Sequence, residues 1–291
     1  MSVKHPIISV TGSSGAGTTT VKHVFEQIFR REGISAATIE GDAFHRYDRA
    51  TMQLKLADAD AQGNRHLSHF GPGENLFEEL ERTFRQYGES GTGRSRHYIH
   101  DDKEAELHGA APGTFTEWSD LPSPTDVLFY EGLHGAVVTD TVNIAQHADL
   151  KIGVVPVINL EWIQKLHLDK ATRGHSKEAV TDTILRRMPD YIHYICPQFV
   201  ETDINFQRVP VVDTSNPFVA RWIPTPDESM VVIRFKNPRG IDFPYLTAMI
   251  QNSFMSRANS IVIPGGKLDI AMQLILTPMI LRIVDRKRRM D

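Results

Sequence analysis

Two periods of hydrophobicity alternate along the chain. Short apolar runs at Ile7–Thr11, Ala37–Glu40, Val127–Glu131, Lys151–Pro156, Val209–Val212, Met230–Phe235 and Ser260–Pro264 have the length and side-chain type of buried strands. Between them, apolar positions recur at helical spacing. Val21, Val24, Phe25, Ile28 and Phe29 predict a helix that stops before Gly33. Further helices are expected over Leu76–Tyr87, Leu160–Ala171, Lys177–Arg187 and about Lys267–Arg289. Such alternation predicts an α/β fold, a sheet packed by helices. Residues 88–125 break the pattern with five glycines and three prolines and no sustained periodicity. They read as a loop-rich insertion or flap over a site. With no long polar linker anywhere, residues 1–291 are expected to form one domain.

Composition narrows this picture only by exclusion. The hydrophobic fraction of 41% and charged fraction of 23% are ordinary for a globular chain. A net charge of −4 gives no field that would attract nucleic acid, so no such partner is expected. The basic run Arg286–Arg289 reads as a solvated helix end. The apolar stretch Leu274–Val284 is far too short to span a bilayer, so no membrane partner is expected. Cys196 stands alone and cannot form an intrachain disulfide; its apolar neighbours predict a buried side chain. The first strand begins next to Pro6, leaving no room for a signal sequence, and a cytoplasmic location is expected. The histidines, His97, His100 and His134 among them, form no metal-ligand framework.

The chemistry is carried by four segments. After the first strand, Gly12-Ser13-Ser14-Gly15-Ala16-Gly17-Thr18-Thr19-Thr20 follows the spacing of a phosphate-binding loop at a helix start. Glycines let backbone N–H groups turn towards phosphate oxygens, and the Thr19 hydroxyl stands where such loops place a magnesium ligand. Thr18 occupies the position of the usual loop lysine, so the missing charge must come from elsewhere. Glu131 ends a buried strand, where a carboxylate can hold the magnesium shell. The segment Glu40–Arg49 also follows a strand; Asp42 can act as a base, with His45 and Arg49 four residues apart. In Lys165–Ser176, Lys165 and Asp169 share a helical face with Arg173 one turn on. A lid carrying those cations to the phosphates could replace the charge missing at Thr18.

Together these segments resemble the phosphoribulokinases of proteobacterial type, within the wider group that includes uridine kinases. The resemblance covers essentially the whole chain. It runs through Glu40–Arg46, Leu128–Gly135, Val154–Lys165, Asn205–Pro210 and Val212–Phe218. It implies a nucleoside-monophosphate-kinase-like mixed sheet flanked by helices, with a lid. It implies ATP-dependent phosphorylation of ribulose 5-phosphate to ribulose 1,5-bisphosphate in the Calvin cycle. In that reading Asp42 is the general base, and Lys165 assists transfer. Asp169 is a second key carboxylate, with Thr19, Glu131 and Asp169 around magnesium. His45, Arg49 and Arg173 contact the sugar phosphate. The resemblance also implies a homo-oligomer, NADH as activator and AMP as inhibitor, with Arg31, Arg187, Arg234 and Arg257 at effector positions. The family pattern has arginine where this chain has Leu168, and close relatives have a basic residue where it has Gln53. A kinase of another small alcohol, of the uridine type, and a weakened nucleotide-sensing regulator are the alternatives.

Overall fold

The computed structural model describes residues 4–13, 18–173 and 176–289, without the side chains of residues 18, 19, 168–173 and 177. Ten strands are described: β1 (Ile7–Gly12), β2 (Ala36–Glu40), β3 (Arg94–Ser95), β4 (Ser119–Asp120), β5 (Val127–Gly132), β6 (Leu150–Val155), β7 (Ile204–Pro210), β8 (Ser229–Phe235), β9 (Phe254–Arg257) and β10 (Ser260–Pro264). The described α-helices are α1 (Thr18–Arg31), α2 (Arg49–Ala61), α3 (Phe77–Ser90), α4 (Asp102–His108), α5 (Ile158–Arg173), α6 (Lys177–Asp190), α7 (Gln198–Glu201), α8 (Phe243–Met249) and α9 (Leu268–Arg288). Eight strands form one sheet in the order β2-β5-β1-β6-β7-β8-β10-β9. The first five are parallel, and β8, β10 and β9 continue antiparallel. This is the expected mixed sheet flanked by helices.

Every residue of β1 is buried, and its side chains alternate between two cores. Ile8 and Val10 join Val127 and Phe129 of β5 beneath α1 and α9. Ile7 joins Leu128 and Tyr130 beneath α3 on the other face. A strand covered on both sides reads as a continuous apolar run, which is why β1 and β5 were legible as strands. α1 ends where expected, with Gly33 in the left-handed region at φ 62°.

Several expectations are corrected. The strand expected at Val209–Val212 is β7, beginning five residues earlier, because Asn205 and Gln207 hide its period. The buried Asn205 accepts from Thr202 Oγ1 at 2.7 Å and donates to the Phe199 carbonyl at 2.9 Å, which makes a polar residue tolerable there. Cys196 is exposed, not buried. A π-helical turn over Tyr191–Ile195 buries its two end residues and turns Cys196 outward. Residues 88–125 hold α4 and the two-stranded β3–β4 ribbon as well as loops. No described helix is long and apolar enough to cross a membrane.

Candidate active site

In an open parallel sheet, ligands lie beyond the carboxyl ends of the strands. β1 ends there at Gly12, Ser13 is buried, and α1 opens at Thr18. Ser14, Gly15, Ala16 and Gly17 lie outside the described residues, as do the side chains of Thr18 and Thr19; Thr20 is half-buried. The Ser13 hydroxyl is buried with no hydrogen bond of good geometry among the described residues, a polar group that an incoming acceptor would satisfy.

Beside this loop, β2 and β5 end in adjacent Glu-Gly pairs, with Glu40 in register with Glu131. The two chains nearly touch: a Cβ on Gly41 would stand 2.8 Å from the Gly132 Cα, which demands glycine. Lys22 of α1 forms an ion pair with Glu40. Burial opposes its charge, but the Glu40 hydrogen bond and the charges of Glu40, Glu131 and Glu26 hold its pKa above the ordinary lysine value.

Asp42 lies in a 3-10 turn, Gly41–Phe44, directly after β2. His45 closes that turn, with Nε2 3.1 Å from Asp42 Oδ1. His45 Nδ1 faces Asn75 Oδ1 at 2.8 Å. The orientation of that amide is fixed, because Asn75 Nδ2 donates to the carbonyls of His69 at 2.9 Å and Gly71 at 2.6 Å. Both His45 ring nitrogens therefore meet acceptors, the pattern of an imidazolium. Burial works to lower the His45 pKa, but the bonds to Asp42 and Asn75 prevail and raise it. Burial likewise works to raise that of Asp42, while His45, His100 and His69 pull it down to about 2. His69, whose ring centre is 5.0 Å from that of His45, is pushed to about 3 by burial and by the neighbouring His45 and Arg187 charges. The site thus holds an ionised carboxylate against one charged and one neutral histidine.

Arg49 starts α2 and is joined to this group indirectly. Its guanidinium donates to the His100 carbonyl at 3.2 Å, and His100 Nε2 lies 3.6 Å from Asp42 Oδ2. On the loop side, α5 and α6 form a hairpin whose cleft is lined by Phe70, Glu161, Trp162, Lys165, Arg187 and Tyr191. Arg187 stacks its guanidinium 5.3 Å from the Phe70 ring centre. Burial raises the Glu161 pKa, opposed by Ser13, Tyr191, Arg187 and Lys165, so this carboxylate faces the phosphate loop from the hairpin. Asp169 and Arg173 continue α5, with side chains outside the described residues.

The sequence-predicted residues thus separate into clusters. Asp42 and His45 come together with Arg49 close by, and Glu131 ends the strand beside them. Lys165 shares its cleft with Arg187, which does not accompany the other effector candidates. Arg31 binds Gln273 and Thr277 of α9 at 2.9 and 3.0 Å. Arg234 and Arg257 are exposed on strands flanking Ser260, both in register with it. Asn75, His69, His100 and Glu161 were not foreseen. Only Glu161 carried a signal, its i,i+4 spacing to Lys165. Among the described residues no group of three or more His, Cys, Asp or Glu side chains could hold a metal by itself.

A parallel sheet with a loop-to-helix phosphate site after β1, an acid–histidine pair after β2 and a cation-bearing helical hairpin define a phosphate-loop kinase. The chain belongs to the Phosphoribulokinase / Uridine kinase family, which it matches over residues 7–215. It is 74% identical to a phosphoribulokinase of Nitrobacter vulgaris, over 98% of this chain and 99% of that one. To a phosphoribulokinase of Sinorhizobium medicae it is 69% identical over the full length of both. The solved phosphoribulokinase from Rhodobacter spheroides superposes with a TM-score of 0.92, at 66% identity, over 99% of this chain and all of that one.

Proposed function

We propose that this chain transfers the γ-phosphoryl group of ATP to the free primary hydroxyl of ribulose 5-phosphate, giving ribulose 1,5-bisphosphate and ADP for the Calvin cycle. The observation that carries the reading is the ionised Asp42 held by His45 beside the phosphate loop. Full-length relatives at 66–74% identity that are called phosphoribulokinases support the choice of substrate.

Asp42 takes the proton as the sugar hydroxyl attacks in line. A carboxylate with a pKa of about 2 is a weak base, which suits a loose transition state whose hydroxyl proton leaves late. Arg49 and Arg173 hold the phosphate already on the sugar, with His45 adding positive charge beside it, a cation set that a nucleoside without phosphate does not need. Residues 12–20 cradle the ATP phosphates, and the buried Ser13 hydroxyl and the N-terminus of α1 suit that role. Thr19, Glu131 and Asp169 are oxygen donors of the kind magnesium takes and would hold it; when bound, the ion offsets charge on the β- and γ-phosphates. Lys165 supplies a cation to the transferring group, and the α5–α6 hairpin excludes water as a lid. Residues 1–291 act as one kinase domain, with 88–125 flanking the sugar side. The protein is a cytoplasmic homo-oligomer in which Arg31, Arg187, Arg234 and Arg257 bind NADH or AMP.

The test is ADP release from magnesium-ATP with ribulose 5-phosphate, compared with uridine and other sugar phosphates. Turnover is expected with ribulose 5-phosphate alone. Asp42→Asn should lower kcat by about two to four orders of magnitude while ATP still binds. Near-parental turnover in that variant would remove Asp42 from the base role.

A further inference from the structure

Arg96 lies in the insertion, outside every motif singled out in the sequence. Its side chain is half-buried and faces the back of the Asp42–His45 turn. Nε donates to the Ala43 carbonyl at 2.8 Å and a terminal nitrogen donates to the His45 carbonyl at 2.6 Å. The carbonyl between them, that of Phe44, accepts from the Leu76 N–H at 2.8 Å. The three carbonyls that leave the 3-10 turn are thus all held from outside it, two of them by this one guanidinium. A 3-10 turn of four residues has few bonds of its own and weak geometry, so its external ties set its shape.

The guanidinium is itself fixed. Its carbon stands 3.6 Å from the Phe115 ring centre and 4.9 Å from that of Trp118. Trp118 packs edge-on against Phe44 at 5.5 Å, which returns the contact to the same turn. Phe115 is bridged to Tyr98, two residues after Arg96. A planar, forked cation is the side chain that can stack on a ring and bond two carbonyls at once; a lysine ammonium cannot do both.

We propose that Arg96 is a positioning residue for phosphoryl transfer, fixing the turn that presents Asp42 and His45 to the sugar. This inference rests on the function proposed above. It also accounts for the insertion, since residues 94–118 form the platform against which the acid–histidine pair is set.

The test compares Arg96→Ala, Arg96→Lys and Phe115→Leu in the full chain. Arg96→Ala should lower kcat with ribulose 5-phosphate by about 10- to 100-fold, the loss of two charge-assisted hydrogen bonds. The KM for ATP should stay within about twofold, because among the described residues no contact of Arg96 reaches the phosphate loop. Millimolar guanidinium should restore part of the rate to Arg96→Ala, and ethylammonium should not. Arg96→Lys should fall between, and Phe115→Leu should keep both carbonyl bonds and lose less. A second readout needs no turnover: the His45 ring N–H signals in proton NMR, assigned by their loss in His45→Asn. They should be sharp in the parent and broadened by exchange in Arg96→Ala. Parental turnover without ribulose 5-phosphate specificity would refute the proposed function, and the NMR comparison would still decide Arg96. Unchanged His45 signals with kcat within threefold of the parent would overturn the inference. So would a rate loss matched by an equal rise in the KM for ATP.

Discussion

Asn75→Leu removes one of the two partners that raise the His45 pKa, Asp42 being the other, and the outcome can be worked from the three bonds it breaks. One is the 2.8 Å bond from His45 Nδ1; the others leave the buried carbonyls of His69 and Gly71 without their donor. Losing the His45 bond lowers the His45 pKa, because the bond to Asn75 favours the charged imidazolium. The two carbonyls add about 1–3 kcal/mol each to the destabilisation, visible as a lower urea midpoint. The sign follows from His45 having a folded pKa above its unfolded value of about 6.5. The stability it contributes is complete below that unfolded value and is lost as pH rises through the folded one. In Asn75→Leu that loss starts at lower pH. The groups facing His45 are Asp42, Asn75, His69, Tyr98 and, from α6, Arg187, and of these only Asn75 changes. The alkaline limb of kcat/KM for ribulose 5-phosphate should therefore move to lower pH. Asn75→Asp keeps an acceptor at Nδ1, and its limb should not move down. A folded Asn75→Leu protein with the parental limb would refute the reasoning.

Two further outcomes are expected, the first from the proposed function and the second from the structure. Arg234→Ala and Arg257→Ala should each abolish stimulation by NADH and leave the unstimulated rate intact, measured as ADP release; unchanged stimulation in both would remove these arginines from effector binding. Gly153→Ala would place a Cβ 2.0 Å from Oδ1 of the buried Asn205 and 3.0 Å from the half-buried Phe199 ring of α7. It should destabilise the fold by about 1–3 kcal/mol, read as a lower urea midpoint at unchanged slope.

How far the sequence disclosed this molecule depended on where each element's partners lie. β1, β5 and β10 are buried on both faces and announce themselves as apolar runs. β7 does not, because Asn205, tied to Thr202 and Phe199, and Gln207 interrupt its apolar run. α2 was missed because its apolar face is thin: only Met52 and Ala59 are buried. Asp42, His45 and Glu131 stood out because each follows a strand in a chain that also carries a phosphate loop. Asn75, His100 and Arg96 reach the site from 30 to 60 residues away, along irregular backbone whose spacing carries no period. Arg187 was visible as a charge but not as a neighbour of Lys165, since that pairing depends on how α6 folds back on α5.

The lysine missing at Thr18 finds its account in this arrangement. Lys22, one turn into α1, is the obvious substitute, but it is committed to Glu40 and lies in the field of Glu131. Lys165 and Arg187 are instead carried by the α5–α6 hairpin, and in the proposed function Lys165 supplies the cation to the phosphates. A loop lysine is beside the phosphates at all times, whereas a cation on a hairpin reaches them only with the hairpin over the loop. In the proposed function this ties the charge that stabilises transfer to the exclusion of water. ATP bound without the sugar then lacks that stabilisation when water has access, which suppresses hydrolysis. The acceptor side is built the opposite way. Asp42 and His45 are fixed before substrate arrives by Asn75, Leu76 and Arg96. In the proposed function a pre-set base faces cations carried by the lid, so closure of the lid, not proton abstraction, is the step at which the sugar phosphate is selected.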